Sequence, residues 1–162
     1  MKSVILILAL TALASVKVKA ADITYQAWSE TEFSGELHDH SLWQPHADPD
    51  GDHLDNLLEY ALDSDPLLAG AEGLPKAVWQ DGQLNFAFTR DRGKSDIVYR
   101  IEVSNDLKIW KRVPSEVTSV KKGLERRLVR VSNKRAQDYI RLRIVPAAGA
   151  TISTGKLDSS FG

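Results

Sequence analysis

The chain has 162 residues, 43% of them hydrophobic and 27% charged, with no cysteine and a formal net charge of −1. The lack of cysteine excludes a disulfide-stapled scaffold, a thiol nucleophile and a cysteine-linked lipid anchor. The small net charge conceals a division: residues 21–75 carry thirteen Asp and Glu and no Lys or Arg, whereas residues 76–162 carry eighteen Lys and Arg against nine Asp and Glu. An uncompensated −13 repels itself, so a divalent cation, the basic half, or both must relieve it.

At the N-terminus, Lys2 precedes an apolar run from Val4 to Ala14, and the short side chains of Val18 and Ala20 suit a signal-peptidase cut after Ala20. The expectation is an export signal over 1–20. The apolar run falls short of the roughly 20 residues that span a bilayer, and no later stretch is longer, so no membrane span is expected. The remaining 142 residues (162 less 20) suffice for one domain with its own core.

From Thr24 to Phe33, Tyr25, Trp28 and Phe33 recur near helical spacing with Thr24 as a cap, which predicts a short amphipathic helix. A loop over Asp48–Asp55 leads into a second short helix, Asn56–Leu62, which Asp63-Ser64-Asp65-Pro66 stops. These elements make a helical lobe over 21–66, followed by a linker over 67–75 with Gly70 and Gly73.

From Lys76 the period changes to two. Leu84, Phe86 and Phe88 alternate with Asn85 and Ala87, and Ile97, Tyr99, Ile101 and Val103 alternate with Arg100 and Glu102. The runs Leu128–Val131 and Ile140–Ile144 behave alike, and Asp81-Gly82, Arg92-Gly93, Asn105-Asp106, Lys122-Gly123 and Ser132-Asn133 supply turns between runs. The pattern predicts a mainly β protein: an antiparallel β-sandwich of the fibronectin-III/Ig-like kind over 76–146, with about six to eight strands. Trp79, Tyr99 and Trp110 are expected in its core, and Trp28 and Trp43 between lobe and sandwich. The Ala-, Gly- and Ser-rich stretch 147–162 is expected to be a flexible tail.

The loop Asp48-Pro49-Asp50-Gly51-Asp52-His53-Leu54-Asp55-Asn56-Leu57-Leu58-Glu59 carries the chemistry. Calcium takes six to eight oxygens, and a twelve-residue loop supplies them from positions one, three, five, seven, nine and twelve. These positions hold Asp48, Asp50, Asp52, the Leu54 carbonyl, Asn56 and Glu59. Position six, where the backbone turns with positive φ, holds His53 in place of the usual Gly, which strains the loop and weakens affinity. Pro45 and Pro49 interrupt any incoming helix, so the site has one exiting helix and no paired second loop. The expected affinity is that of weak extracellular modules, about 10⁻⁴–10⁻³ M.

Asp48-Pro49-Asp50-Gly51-Asp52, then Asn56-Leu57-Leu58-Glu59-Tyr60, then Asp65-Pro66 resembles the thrombospondin type-3-like and dockerin-like calcium loops of bacterial exported proteins. The segment Tyr99–Trp110 is similar to a β-sandwich segment that follows such loops. The resemblance implies an accessory module stabilised by Ca2+ and without catalysis, with Asp65 as an added oxygen donor. His53, and Asp63-Ser64 for the family's Gly-Thr, depart from the pattern.

Other chemistries are less well served. His38, His40, His46 and His53 have neither a thiolate partner nor catalytic zinc spacing, and read as loop histidines. No Gly-x-Ser-x-Gly or phosphate loop is present, so no enzyme is expected. Arg126, Arg127, Arg130, Arg141 and Arg143, with Lys121 and Lys122, suggest a basic stripe. Its partner would be an anionic surface polysaccharide, or another exported protein would dock on the chain; export argues against nucleic acid.

Overall fold

In a computed structural model of the protein, the described residues are 23–34, 39, 41–70, 73–132, 139–150 and 152. The expected export signal lies outside them, as do His38, His40 and most of the expected tail.

Two short helices come first. Helix α1 (Tyr25–Glu32) starts where Thr24 Oγ1 accepts from the Ala27 N–H at 3.2 Å. Helix α2 (Asn56–Leu62) starts where Asp55 Oδ1 accepts from the Leu58 N–H at 2.9 Å, and ends at Asp63, whose φ is 59°. The cap is therefore Asp55, one residue before the helix.

Seven strands follow: β1 (Lys76–Gln80), β2 (Gln83–Asp91), β3 (Ile97–Ser104), β4 (Lys111–Val113), β5 (Glu116–Lys121), β6 (Leu124–Ser132) and β7 (Tyr139–Pro146). Asp81-Gly82 and Lys122-Gly123 both have positive φ at the two turn positions, which matches the strand twist and closes the hairpins β1–β2 and β5–β6. All pairs are antiparallel, in two sheets ordered β1-β2-β6-β5 and β4-β3-β7. The sheets meet through Phe86, Phe88 and Val129 on one side and Ile101 on the other, with Tyr99, Val113, Val131, Ile140 and Leu142 around them. The protein is thus mainly β with a sandwich-like core. Strands β4 and β5 are one run that changes sheets at Pro114-Ser115, where Pro114 has no N–H to offer a ladder.

Two of the expected core aromatics lie elsewhere. Trp79 is 56% exposed. It shares a side of the sheet with Leu84, but β1 is an edge strand whose five residues are all exposed. Trp110 lies outside the core cluster, with the Arg141 guanidinium 3.9 Å from its ring centroid and its Nε1–H donated to the Leu107 carbonyl. Tyr99 is in the core, stacked on Phe88. Trp28 and Trp43 pack on lobe aromatics: Trp28 against Tyr25, Phe33 and Tyr60, and Trp43 on Phe33.

The helices and the sheets share one core. Tyr25, Leu57, Tyr60 and Ala61 pack with Ile97 of β3, and Tyr99, Ile144 and Ile152 close the cluster. Polar ties reinforce it. The Tyr60 hydroxyl lies 2.7 Å from both the Ile23 carbonyl and Asp96 Oδ1, while Asp96 Oδ2 accepts from the Tyr25 N–H at 2.6 Å. Tyr99 donates to the Ala61 carbonyl at 2.6 Å. Buried Lys94 donates to the Tyr60 carbonyl and to Asp63, and lies 4.8 Å from the Tyr60 ring centroid. A cation at the α2 C-terminus opposes the helix dipole there. Burial, and then the Asp96 carboxylate, push the Tyr60 hydroxyl far above its ordinary pKa, so it stays a neutral donor.

This junction is testable. Tyr60→Phe keeps the ring contacts and removes one shared donor, and is expected to cost about 1–2 kcal/mol in denaturant unfolding. An unchanged unfolding midpoint would show that these hydrogen bonds do not hold the helices to the sheets.

Candidate metal centre

The segment before α2 is clamped at both ends. The Asn56 N–H donates to the Ala47 carbonyl at 2.9 Å and the Leu57 N–H to the Pro45 carbonyl at 3.0 Å. Asn56 Nδ2 donates to the carbonyls of Leu42 (2.6 Å) and Gln44 (2.9 Å). Asn56 is fully buried, and it gathers the chain that leads into the loop.

Between these clamps the aspartates fold the loop on themselves. Asp48 accepts from the N–H groups of Gly51 (2.9 Å) and His53 (3.0 Å), and Asp50 from Asp52 (3.1 Å). Asp52 accepts from Leu54 (2.8 Å) and, with its other oxygen, from Gly70 (3.1 Å), which ties Gly70 to the loop. These turns bring one carboxylate oxygen from each of Asp48, Asp50 and Asp52 within 4.8 Å of one another. His53 adopts φ 74°, the positive value that its loop position demands.

Glu59 is the distinctive group. It is 1% exposed, and neither carboxylate oxygen has a hydrogen-bond partner. Burial, and then the charges of Asp50 and Asp52, push its pKa up to about 7; the neighbouring Ser64 hydroxyl pulls weakly the other way without a completed hydrogen bond. Asp50 is also held above the usual carboxylate range, first by burial and then by Asp52 and Asp48, and its Oδ2 is buried without a partner. A buried carboxylate without donors is costly. Glu59 is one, Asp50 Oδ2 is a further bare oxygen, and the sequence offers no Lys or Arg between residues 21 and 75. Glu59 itself lies outside the group of three aspartates whose oxygens come within 4.8 Å of one another. A hard divalent cation is the partner that such a donor set fits.

The remaining expected donors are placed as follows. Leu54 lies in the loop with its N–H on Asp52. Asn56 directs its amide nitrogen to Leu42 and Gln44, and its Oδ1 is buried without a hydrogen bond. Asp65 is exposed and accepts from the Leu67 N–H at 3.0 Å, in a turn of its own beyond the group of three aspartates. The side chain of His46 is 85% exposed, with Nδ1 3.4 Å from Asp55, and His53 is exposed. The Gly70 tie and the Asn56 clamp are long-range and leave no local pattern by which sequence would reveal them.

The basic residues do not form one stripe. Arg126 and Arg130 lie on β6 and Lys121 on β5, whereas Arg141 and Arg143 lie on β7 of the other sheet. Arg127 pairs with Glu125, Arg130 with Glu116 and Arg141 with Glu102.

Comparison with protein-family models, with curated proteins and with solved structures finds no match.

The strain at His53 leads to a prediction. A side chain at positive φ costs about 1 kcal/mol relative to glycine. His53→Gly is therefore expected to raise stability in calcium by about that amount and to tighten calcium binding several-fold in a calorimetric titration. Weaker binding would mean that the imidazole contributes to the site.

Proposed function

We propose that this protein is an exported, non-catalytic calcium-binding module. One Ca2+ is held by Asp48, Asp50, Asp52 and Glu59, with the Leu54 carbonyl as a further donor. The observation that carries this reading is Glu59: a carboxylate 1% exposed, with both oxygens unpartnered, beside three aspartates. The positive φ at His53, at the place where a calcium loop turns, also supports it. The sheet order β1-β2-β6-β5 against β4-β3-β7 supports an immunoglobulin- or fibronectin-III-type sandwich, as the family resemblance implies.

The ion would supply charge neutralisation and a fixed set of oxygen contacts; the rest is done by the chain. Glu59 precedes Tyr60 and Ala61, which make the ties to Asp96, Lys94 and Tyr99. Settling Glu59 therefore settles the helix whose opposite side docks on the sheets, and binding free energy becomes stability and orientation of the lobe. Outside the cell, calcium at about millimolar levels keeps even a weak site filled.

The test is a thermal melt in excess EDTA and in millimolar calcium, with magnesium as control. Calcium is expected to add about 0.4–1.4 kcal/mol at about 1 mM, a rise of roughly one to a few degrees. Glu59→Gln is expected to abolish that response and, in EDTA near pH 8, to melt higher than the parent because it removes a buried, unpartnered charge. A calcium response that survives in Glu59→Gln, or none in the parent, would overturn the reading.

A further inference from the structure

The two sheets are unequal, and the inequality leaves a cleft of about 490 Å³ between them, lined by Phe88, Arg90, Tyr99, Arg112, Ser115 and Arg127 among others. Its origin is the sheet-switching run β4–β5. Strand β4 covers β3 only over Ile101–Val103 and then crosses to the other sheet at Pro114-Ser115. Strand β3 continues back to Ile97, paired with β7 on its far side over its whole length. Over Ile97–Arg100 its near edge has no backbone partner among the described residues.

Two further features surround that edge. First, β5 turns Val117 and Val120 to the inner side of its sheet, in register with Arg127 and Glu125, and they remain 48% and 53% exposed because no strand of the other sheet lies over them. Second, the charge is one-sided. Glu125 is shared by Arg90, Arg92 and Arg127. Arg112 is in register with Glu102, but Glu102 is engaged by Arg141 at 2.6 Å, and Arg112 has no ion pair among the described residues. Arg90, Arg112 and Arg127 therefore line the cleft, and its lining holds no carboxylate residue.

We propose that this cleft takes an extended acidic peptide segment of a partner protein, added as a strand along Val98–Arg100, beyond the buried Ile97. The unpaired backbone supplies the ladder, Val117 and Val120 supply an apolar floor for alternate side chains, and Arg112, with the part of Arg90 that Glu125 leaves free, receives carboxylates, while Arg127 is held by Glu125 and Ser115. Each open feature calls for the same occupant. A sheet edge wants a backbone, exposed inward valines want a covering strand, and guanidinium forks want carboxylate oxygens. A polysaccharide would satisfy the charge alone.

The probe is a fluorescein-labelled ten-residue peptide of alternating Val and Glu, titrated by fluorescence anisotropy into the calcium-loaded protein at low salt. The proposal expects saturable binding and slowed amide exchange over 98–100. It also expects at least tenfold weakening for the exposed variant Arg112→Glu, and the same loss when alternate residues of the peptide are proline, which keeps charge and removes N–H donors. Equal binding of the proline peptide, or saturable binding of oligogalacturonate with no strand protection by the peptide, would overturn strand addition. No binding of the peptide by a protein whose melt shows it folded would overturn the proposal outright. None of these outcomes depends on the identity of the ion at Asp48–Glu59.

Discussion

The organisation of this protein turns on one buried carboxylate. Glu59 sits on the inner side of a seven-residue helix, 1% exposed, with no hydrogen bond to either oxygen and with Asp50, Asp52 and Asp48 as its charged neighbours. No basic side chain is near in sequence, because residues 21–75 contain none. Lys94, the cation that the sheets contribute, is committed to the far end of the same helix, on the Tyr60 carbonyl and Asp63. A fold that buries this group against like charges and supplies no donor leaves it two ways to be relieved, a proton or a cation, and the loop beside it is built from oxygen.

The position of Glu59 is coupled to the sheets through α2. One side of the helix carries Glu59 toward the acidic loop. The next residues, Tyr60 and Ala61, enter the cluster with Ile97 and make the hydrogen bonds to Asp96 and Tyr99. The segment after the helix is tied back by the Gly70 N–H on Asp52. Helices and sheets are therefore not two modules on a hinge. They share an apolar cluster.

Much of this was legible in the residues. The spacing of Asp48, Asp50 and Asp52 singled out three carboxylates that do lie together, and the apolar spacing gave both helices, α2 to its observed bounds. Period-two runs gave β2, β3, β6 and β7, and positive-φ turn residues gave the hairpin ends. The sequence did not reveal β1, β4 or β5, because edge and short strands lack a buried face that would impose alternation: every residue of β1 and β5 is exposed. It also misplaced Trp79 and Trp110, since composition favours burial of tryptophan but cannot show that a strand overhangs the smaller sheet or that Arg141 covers a ring from outside. Nor could spacing foresee that Asn56 would spend its amide on Leu42 and Gln44, or that the basic residues would divide between two sheets and pair with Glu102, Glu116 and Glu125.

The most direct measurement is a calorimetric titration of calcium into the metal-free protein, with magnesium as competitor. The account expects one calcium ion per chain, held with a dissociation constant of about 10⁻⁴–10⁻³ M in preference to magnesium. No saturable heat, or a site that magnesium fills equally well, would contradict it.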